Sequence, residues 1–334
     1  MNNNVSRRGL LSGVAAAGAA VALAPATNTT ARAAAPAVGK QAPGFYRYKV
    51  GDFEVTVVTD GKVVTPLSDT YVANAKKDEV NSVLAANYLP ADTATHLYTP
   101  VVVNTGSKLV VIDTGLGLGT FAQSKGAAGQ FHSNLAASGI DPKSVDTVVI
   151  SHFHGDHING LLDADNKPAF PNAEIMVPAG EWKQWMDDSN MTKAAGTPVE
   201  GNYKNSRRVF GAIGNKVTQY DDGKELIGGI KAIATPGHTP GHMSYLVSSG
   251  PRSMIVQSDI TAGMAVLFVK NPDWQLAFDM DKPTAVQSRK KIYDMAIAEK
   301  IPVQGFHFPF PGVAYVEKDG NGYRLVPAAW NPTL

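Results

Sequence analysis

The 334-residue chain has no cysteine. That absence removes disulfide scaffolds, thiolate-held zinc, iron–sulfur clusters and thiol nucleophiles, so a metal bound here must be held by imidazole and carboxylate. Charge is sparse as well: Asp, Glu, Lys and Arg make up 18% of the chain, and no stretch of Lys and Arg exceeds three residues. The formal net charge of +1 is set by residues 1–33, which carry Arg7, Arg8 and Arg32 and no acidic side chain; the remaining 27 basic and 29 acidic residues give −2. A mildly acidic body without a basic block argues against nucleic acid or an anionic membrane as partner and leaves small-molecule chemistry. Gly115-Leu116-Gly117-Leu118-Gly119-Thr120 has Thr where a dinucleotide fingerprint ends in Gly, and neither a G-x-S-x-G elbow nor a Walker A sequence occurs. What is present is an ordinary globular composition, 44% hydrophobic with 32 Gly and 21 Pro, long enough for a sizeable core.

The N-terminus reads Ser6-Arg7-Arg8-Gly9-Leu10-Leu11, then an uncharged Ala/Gly/Val stretch, then Ala31-Arg32-Ala33. This resembles a twin-arginine export signal with cleavage near Ala33, which implies delivery to the periplasm or beyond and the export machinery as a partner. The apolar stretch is too short and too rich in Ala and Gly for a spanning helix of ~20 strongly apolar residues, so no stable membrane anchor is expected. Residues 34–44 read as a flexible arm, and 45–334 as the folded domain.

Within the domain, β-rich runs at 45–50 and 53–58 flank Gly51-Asp52, and runs at 97–103 and 109–112 flank Gly106-Ser107, each a hairpin signal. A helix is expected over 131–138, stopped by Gly139, and another over 283–300 with Pro in its first turn and Val286, Tyr293, Ala296 and Ile297 available for one face. The apolar run 145–150 predicts a strand buried on both faces. Further strands are expected at 174–177, 230–234, 243–247, 253–257 and 302–306, a short helix at 181–187, and a surface loop or lid at 190–208. No linker or short repeat divides the chain. The economical reading is one α/β domain with two mixed sheets.

Ser151-His152-Phe153-His154-Gly155-Asp156-His157 follows the apolar strand directly, and places three His and one Asp within six residues. Neutral imidazole and carboxylate are the ligands a borderline cation takes when sulfur is absent. Three more groups stand where a β-rich run gives way to a turn: His238 with His242, Asp259, and His307. Strand ends of α/β scaffolds are the usual address of functional residues. Asp113 ends another such run, where it can either cap the turn or accept a hydrogen bond from a ligand imidazole.

These residues resemble the metallo-β-lactamase-fold hydrolase superfamily, whose H-x-H-x-D-H motif, distal His, bridging Asp and last His fall in order on His152, His154, Asp156, His157, His238, Asp259 and His307. Within it, segments 45–61, 104–108, 170–173, 237–241 and 308–312 look like methyl parathion hydrolase and its lactonase relatives. The resemblance implies a four-layer αβ/βα sandwich of two mixed β-sheets flanked by helices. It also implies two divalent ions, zinc first among zinc, manganese, cobalt and iron. His152, His154 and His238 would hold one, Asp156, His157 and His307 the other, and Asp259 would bridge them, with Asp156 and Asp259 as the catalytic carboxylates. The implied reaction is hydroxide attack on an apolar lactone, ester or organophosphate triester. Trp185 and Phe308 are expected in the substrate pocket, while His96, His132 and His242 fall outside the ligand set. A mononuclear iron dioxygenase of the same fold and a non-catalytic metal-binding protein stand as alternatives, and the sequence leaves a homodimer open.

Overall fold

The computed structural model describes residues 37–334; the export segment expected at 1–33 lies outside them. The described part of the expected arm, 37–44, carries no helix or strand, and 42–334 form one compact unit. In chain order, β1 (Phe45–Val50) and β2 (Phe53–Val58) pair antiparallel as the expected hairpin. Next, β3 (Gly61–Pro66) and β4 (Thr93–Tyr98) make a separate two-stranded ribbon. The first large sheet continues with β5 (Val101–Asn104), β6 (Leu109–Ile112), β7 (Thr147–Val149), β8 (Glu174–Pro178) and β9 (Val217–Tyr220), in the order β1-β2-β5-β6-β7-β8-β9. Its β6 to β9 pairings are parallel and the rest antiparallel. The second sheet runs β10 (Glu225–Ile227), β11 (Ile230–Ala234), β12 (Met243–Ser249), β13 (Arg252–Ser258), β14 (Val303–Gly305), β15 (Val313–Asp319) and β16 (Gly322–Pro327) in chain order, antiparallel except for β13 with β14.

Strand periodicity explains the layering. Val101, Val103, Val110, Ile112 and Val149 pack with Tyr245, Val247, Met254 and Val256 of the second sheet, forming the core between the sheets. The alternate residues Val102, Val111 and Val148 face outward against Phe131, Leu135, Val209 and Phe210 of the covering helices. Ile255 likewise points away from its neighbours Met254 and Val256, onto Ile292, Tyr293 and Ala296. Both faces of each central strand are therefore dry, which is why these strands read as continuous apolar runs. Helices cover the two outer faces, giving the expected four layers.

The first covering helix, Phe131–Ala137, ends as expected before Gly139, whose φ of +85° suits the left-handed position past a helix end. The helix Lys282–Glu299 starts on Asp281, whose side chain accepts from Thr284 N. Its buried stripe differs from the expected face: Tyr293 and Ala296 are buried, but Ala285, Ser288, Arg289 and Ile292 complete the stripe while Val286 and Ile297 are half-buried. Arg289 is tolerated there because its guanidinium donates to the carbonyls of Ile260, Pro272 and Trp274.

Two expectations are corrected. The run 97–103 is split between β4 and β5 at Thr99-Pro100, where Thr99 N donates to Phe306 O and Pro100 has no N–H for a ladder. The expected loop or lid at 190–208 is helical, with helices Asp188–Ala194 and Glu200–Ile213. Tyr203, Ser206, Val209, Phe210 and Ile213 form the second helix's buried face. A Ser and a Tyr in that stripe, with polar residues around its first half, hide the helical period in the sequence. Among the described residues no helix is long and apolar enough to cross a membrane.

Candidate metal centre

All ligand-bearing loops leave strands at their C-terminal ends. His152 and His154 follow β7 in the first sheet, and Asp156 and His157 lie in the short helix Gly155–Ile158. His238, Asp259 and His307 follow β11, β13 and β14 of the second sheet. The centre is therefore built where the ends of the two sheets meet. Two non-glycine residues beside it hold positive φ, Asp113 at +60° and Ser258 at +50°. Such conformations cost energy and are kept where surrounding structure imposes them.

The seven residues converge as two groups, His152 with His154 and His238, and Asp156 with His157, Asp259 and His307; one ligand atom from each lies within 4.8 Å of all others in its group. His152 Nε2 is 3.0 Å from His154 Nδ1, which is 2.9 Å from His238 Nε2. Nitrogens around a tetrahedral zinc, each roughly 2.0–2.1 Å from it, are about 3.3 Å apart, so the triad has a fitting donor set and nearly the fitting size. Asp259 reaches both groups. Its Oδ2 is 3.4 Å from His238 Nε2 and 3.1 Å from His307 Nε2, and its Oδ1 is 3.3 Å from His157 Nε2. His157 Nε2 and Asp259 Oδ1 are buried without a hydrogen-bond partner. Buried lone pairs left over in a cluster of ligand-type side chains are what a cation would satisfy, so the residues present fit divalent metal.

A second layer of hydrogen bonds aims the ligands. His157 Nδ1 donates to Asp113 Oδ2 at 2.8 Å, and Asp113 also accepts from Ser151 N and Oγ. His238 Nδ1 donates to Asp279 Oδ1 at 2.8 Å, and His307 Nδ1 to Leu97 O at 2.7 Å. Each bond fixes the tautomer that presents Nε2 to the centre. His242 is buried and accepts at Nε2 from Asp259 N. Glu181 is buried and holds two ligand loops together: Oε2 accepts from Phe153 N and Trp185 Nε1, and Oε1 from Gly241 N. Gly241 permits this approach, because a Cβ there would lie 2.2 Å from Glu181 N.

Electrostatics follow from burial and neighbours. Desolvation, reinforced by neighbouring imidazoles, pushes His152 well below the ordinary histidine value and His154 and His242 down to about 3, so all three present neutral rings. Burial works the same way on His157, His238 and His307, but carboxylates outweigh it and raise all three: Asp259, Asp113 and Asp156 around His157, Asp279 and Asp259 around His238, Asp259 and Asp156 around His307. Burial would likewise raise Asp156 and Asp259; instead the facing imidazoles of His157 and His307 hold both below the carboxylate range.

The groups open onto a cavity of 790 Å³ whose apolar wall includes Val63, Leu116, Val199, Ala262, Phe278 and Met280. Tyr98 lines it too, its phenol pKa raised by burial and by the charges of Asp156 and Asp60. Two expected pocket residues lie elsewhere. Trp185 is fully buried against Tyr203 with Nε1 donating to Glu181, and Phe308 is buried in the core behind the second sheet; neither lines this cavity. Trp185 packs beside His154, with ring centroids 6.1 Å apart, so its place next to the centre is structural. Among the histidines set aside, His96 lines the cavity, and His132 lies away from it with Nε2 donating to Gly160 O. Asp279, Glu181, His242 and Tyr98 carry no motif. Asp279 lies 41 residues from His238 in sequence, and only the folded chain pairs them.

The sequence pattern of the metallo-beta-lactamase superfamily matches residues 98–252. An N-acyl homoserine lactonase of Bacillus sp is 25% identical over 217 residues, covering 60% of this chain and 73% of that protein. The uncharacterized protein YobT of Bacillus subtilis (strain 168) is 34% identical over 105 residues, 31% of this chain, which thus spans only 42% of that relative. Among solved structures, AidC, a dizinc quorum-quenching lactonase in complex with its product, superposes with a TM-score of 0.79 at 26% identity, covering 86% of this chain and 98% of that one. Hydrolase AbOPH of the beta lactamase superfamily gives 0.77 at 28% identity, with 87% and 100% covered. Residues 98–252 thus carry a metallo-β-lactamase superfamily domain, and the proteins to which the chain is similar include lactonases.

Proposed function

We propose that the protein is a dinuclear metal-dependent hydrolase that opens an apolar lactone or cleaves a carboxylic ester. The observation that carries this reading is the position of Asp259 between two groups of ligand-type side chains, with Oδ1 buried and unpartnered. Divalent cations in such groups supply Lewis acidity and acidify a water toward neutrality. The chain's own residues do the rest. Asp156 and Asp259 offset the cationic charge, Asp113 and Asp279 aim His157 and His238, and His242 steadies the Asp259 backbone. The apolar wall excludes water from the substrate's tail. Phe278 and Met280, 57% and 41% exposed, extend that wall to the rim and favour a substrate with an apolar substituent. The lactonase names of the relatives support the same substrate class.

The test is metal analysis joined to a substrate panel. Elemental analysis after reconstitution should give close to two ions per chain; one iron per chain with colour would instead point to oxygenase chemistry. Lactones and esters with graded acyl chains should be turned over with higher kcat/KM than a phosphotriester or a β-lactam. A β-lactam as best substrate, or no turnover of any lactone or ester, would overturn the proposal. We propose also that export follows the twin-arginine route: Arg7→Lys with Arg8→Lys should abolish delivery to the periplasm, measured by fractionation, and leave activity intact.

A further inference from the structure

Seven tyrosines are buried among the described residues, and six of them hydrogen-bond their hydroxyl. Tyr71 accepts from Met264 N, Tyr203 pairs with Gln184, Tyr220 with Tyr245, Tyr293 with Thr261, and Tyr323 with Asp294. Tyr98 is the exception, with no partner for its hydroxyl among the described residues, although it is only 7% exposed. A buried phenol normally finds a partner. This one lines the cavity with Asp156, Asp259 and His307, so whatever occupies the cavity is what it can meet.

The ring is held firmly. It stands edge-on to His307 with centroids 5.4 Å apart and to Phe306 at 6.3 Å. Its carbonyl accepts from Asp60 N at 2.8 Å, while the preceding residue, Leu97, accepts from His307 Nδ1. The following residue, Thr99, donates through N and Oγ1 to Phe306 O and through Oγ1 to Gly305 O. The strand that carries Tyr98 is thus tied to the loop that carries His307, and the phenol keeps a fixed place beside the second ligand group.

We propose that the Tyr98 hydroxyl contacts the substrate, donating a hydrogen bond to the oxygen of the acyl group under attack. This rests on the acyl-substrate reading above. The carboxylates that border the same space, Asp156, Asp259 and Asp279, accept hydrogen bonds and cannot serve an oxygen that gains negative charge. Lys282 lies beside Asp279, donating to its carbonyl. His96, two residues back on the same face of β4, packs on Tyr71 and on the exposed Phe278. Thr65 and Asn202 border the space too, but of its donor side chains Tyr98 is the one whose ring stands against a ligand imidazole, that of His307, which puts it at the reacting end of the cavity. A donor aimed where charge develops acts mostly in the transition state.

The test is Tyr98→Phe, which removes the hydroxyl and keeps the ring packing. On the metal-loaded enzyme, kcat for a lactone should fall about 10- to 100-fold with KM changed less than threefold, and with metal content and Tm unchanged. The same lactone with its acyl oxygen replaced by sulfur, a poor acceptor, supplies the second arm. The oxo-to-thiono ratio of kcat/KM should be at least fivefold smaller in Tyr98→Phe than in the wild type. Because both substrates meet the same enzyme sample, this ratio is independent of how much protein folds or loads metal. An unchanged ratio, or kcat/KM within twofold of wild type, would overturn the role of Tyr98 while leaving the hydrolase reading intact. Failure of the wild type to open any lactone or ester would overturn the hydrolase reading itself.

Discussion

The backbone N–H of Asp259 donates to Nε2 of His242 at 2.9 Å, so a buried imidazole outside both ligand groups fixes the carboxylate that lies between them. His242 is held in turn by Thr235, whose Oγ1 lies 2.9 Å and whose carbonyl lies 3.1 Å from Nδ1. With Nδ1–H donating, Nε2 keeps the lone pair that Asp259 N needs, and burial keeps the ring neutral. His242→Phe preserves the ring volume and leaves a buried N–H unpaired, at a cost of ~1–3 kcal/mol. The expected outcome is a kcat lower by about tenfold at unchanged metal content, because the fault lies in where Asp259 points. Steady-state kinetics beside elemental analysis checks this; wild-type kcat would show that the bond positions nothing.

Asp279 serves His238 as Asp113 serves His157, and it lies 3.8 Å from the buried Arg289 guanidinium. Removing the carboxylate frees the His238 ring to change tautomer. Metal affinity should therefore fall about 10- to 100-fold in Asp279→Ala and less in Asp279→Asn, which can still accept at the amide oxygen. Competition with a chromophoric chelator measures it. Equal affinities in all three proteins would mean that packing alone orients His238.

The positions of Trp185 and Glu181 turn an expected specificity effect into a stability effect. Trp185 has no exposed surface and its Nε1–H donates to Glu181, which also takes Phe153 N and Gly241 N. Trp185→Ala should cost ~3–5 kcal/mol of stability through the cavity it leaves and the bond it breaks. KM for lactones of different chain length should change little wherever the variant remains folded. Urea denaturation followed by kinetics separates the two effects. A reordered chain-length preference without loss of stability would return Trp185 to the substrate pocket.

How far the sequence could be read depended on how local each feature's signal was. The apolar run behind His152 was legible because both faces of β7 are dry, and the four ligand segments were legible because each sits at a strand end beside a turn. The helix Glu200–Ile213 was not, because its contact stripe includes Ser206 and Tyr203 and is surrounded by polar residues. Glu181 and Asp279 were invisible for another reason. A lone carboxylate acquires its role only when distant backbone or imidazole N–H groups arrive beside it, and no spacing in the chain encodes that meeting. Tyr98 sat in a run read as one strand, so the end of β4 at the cavity went unseen.

His132 provides a test of electrostatics away from the metal centre. Its ring packs between Phe131 and Phe170, with Nε2–H donating to Gly160 O at 2.9 Å. Burial lowers its pKa below the ordinary 6.5, only partly opposed by the Gly160 carbonyl and Asp163. As pH falls below 6.5 the unfolded chain takes up a proton that the folded protein refuses, so the unfolded state binds more protons and stability declines with acidification. The decline from this one residue is at most ~1.4 kcal/mol per pH unit and ends once the folded-state pKa is passed. His132→Gln keeps an amide donor for Gly160 O and removes the titration. Between pH 7 and pH 5 the variant should lose less stability than the wild type, whatever its stability at pH 7. Denaturant midpoints at pH 7, 6 and 5 for both proteins, under identical metal loading, give the two slopes. The proton linkage assigned to His132 is wrong if those slopes coincide.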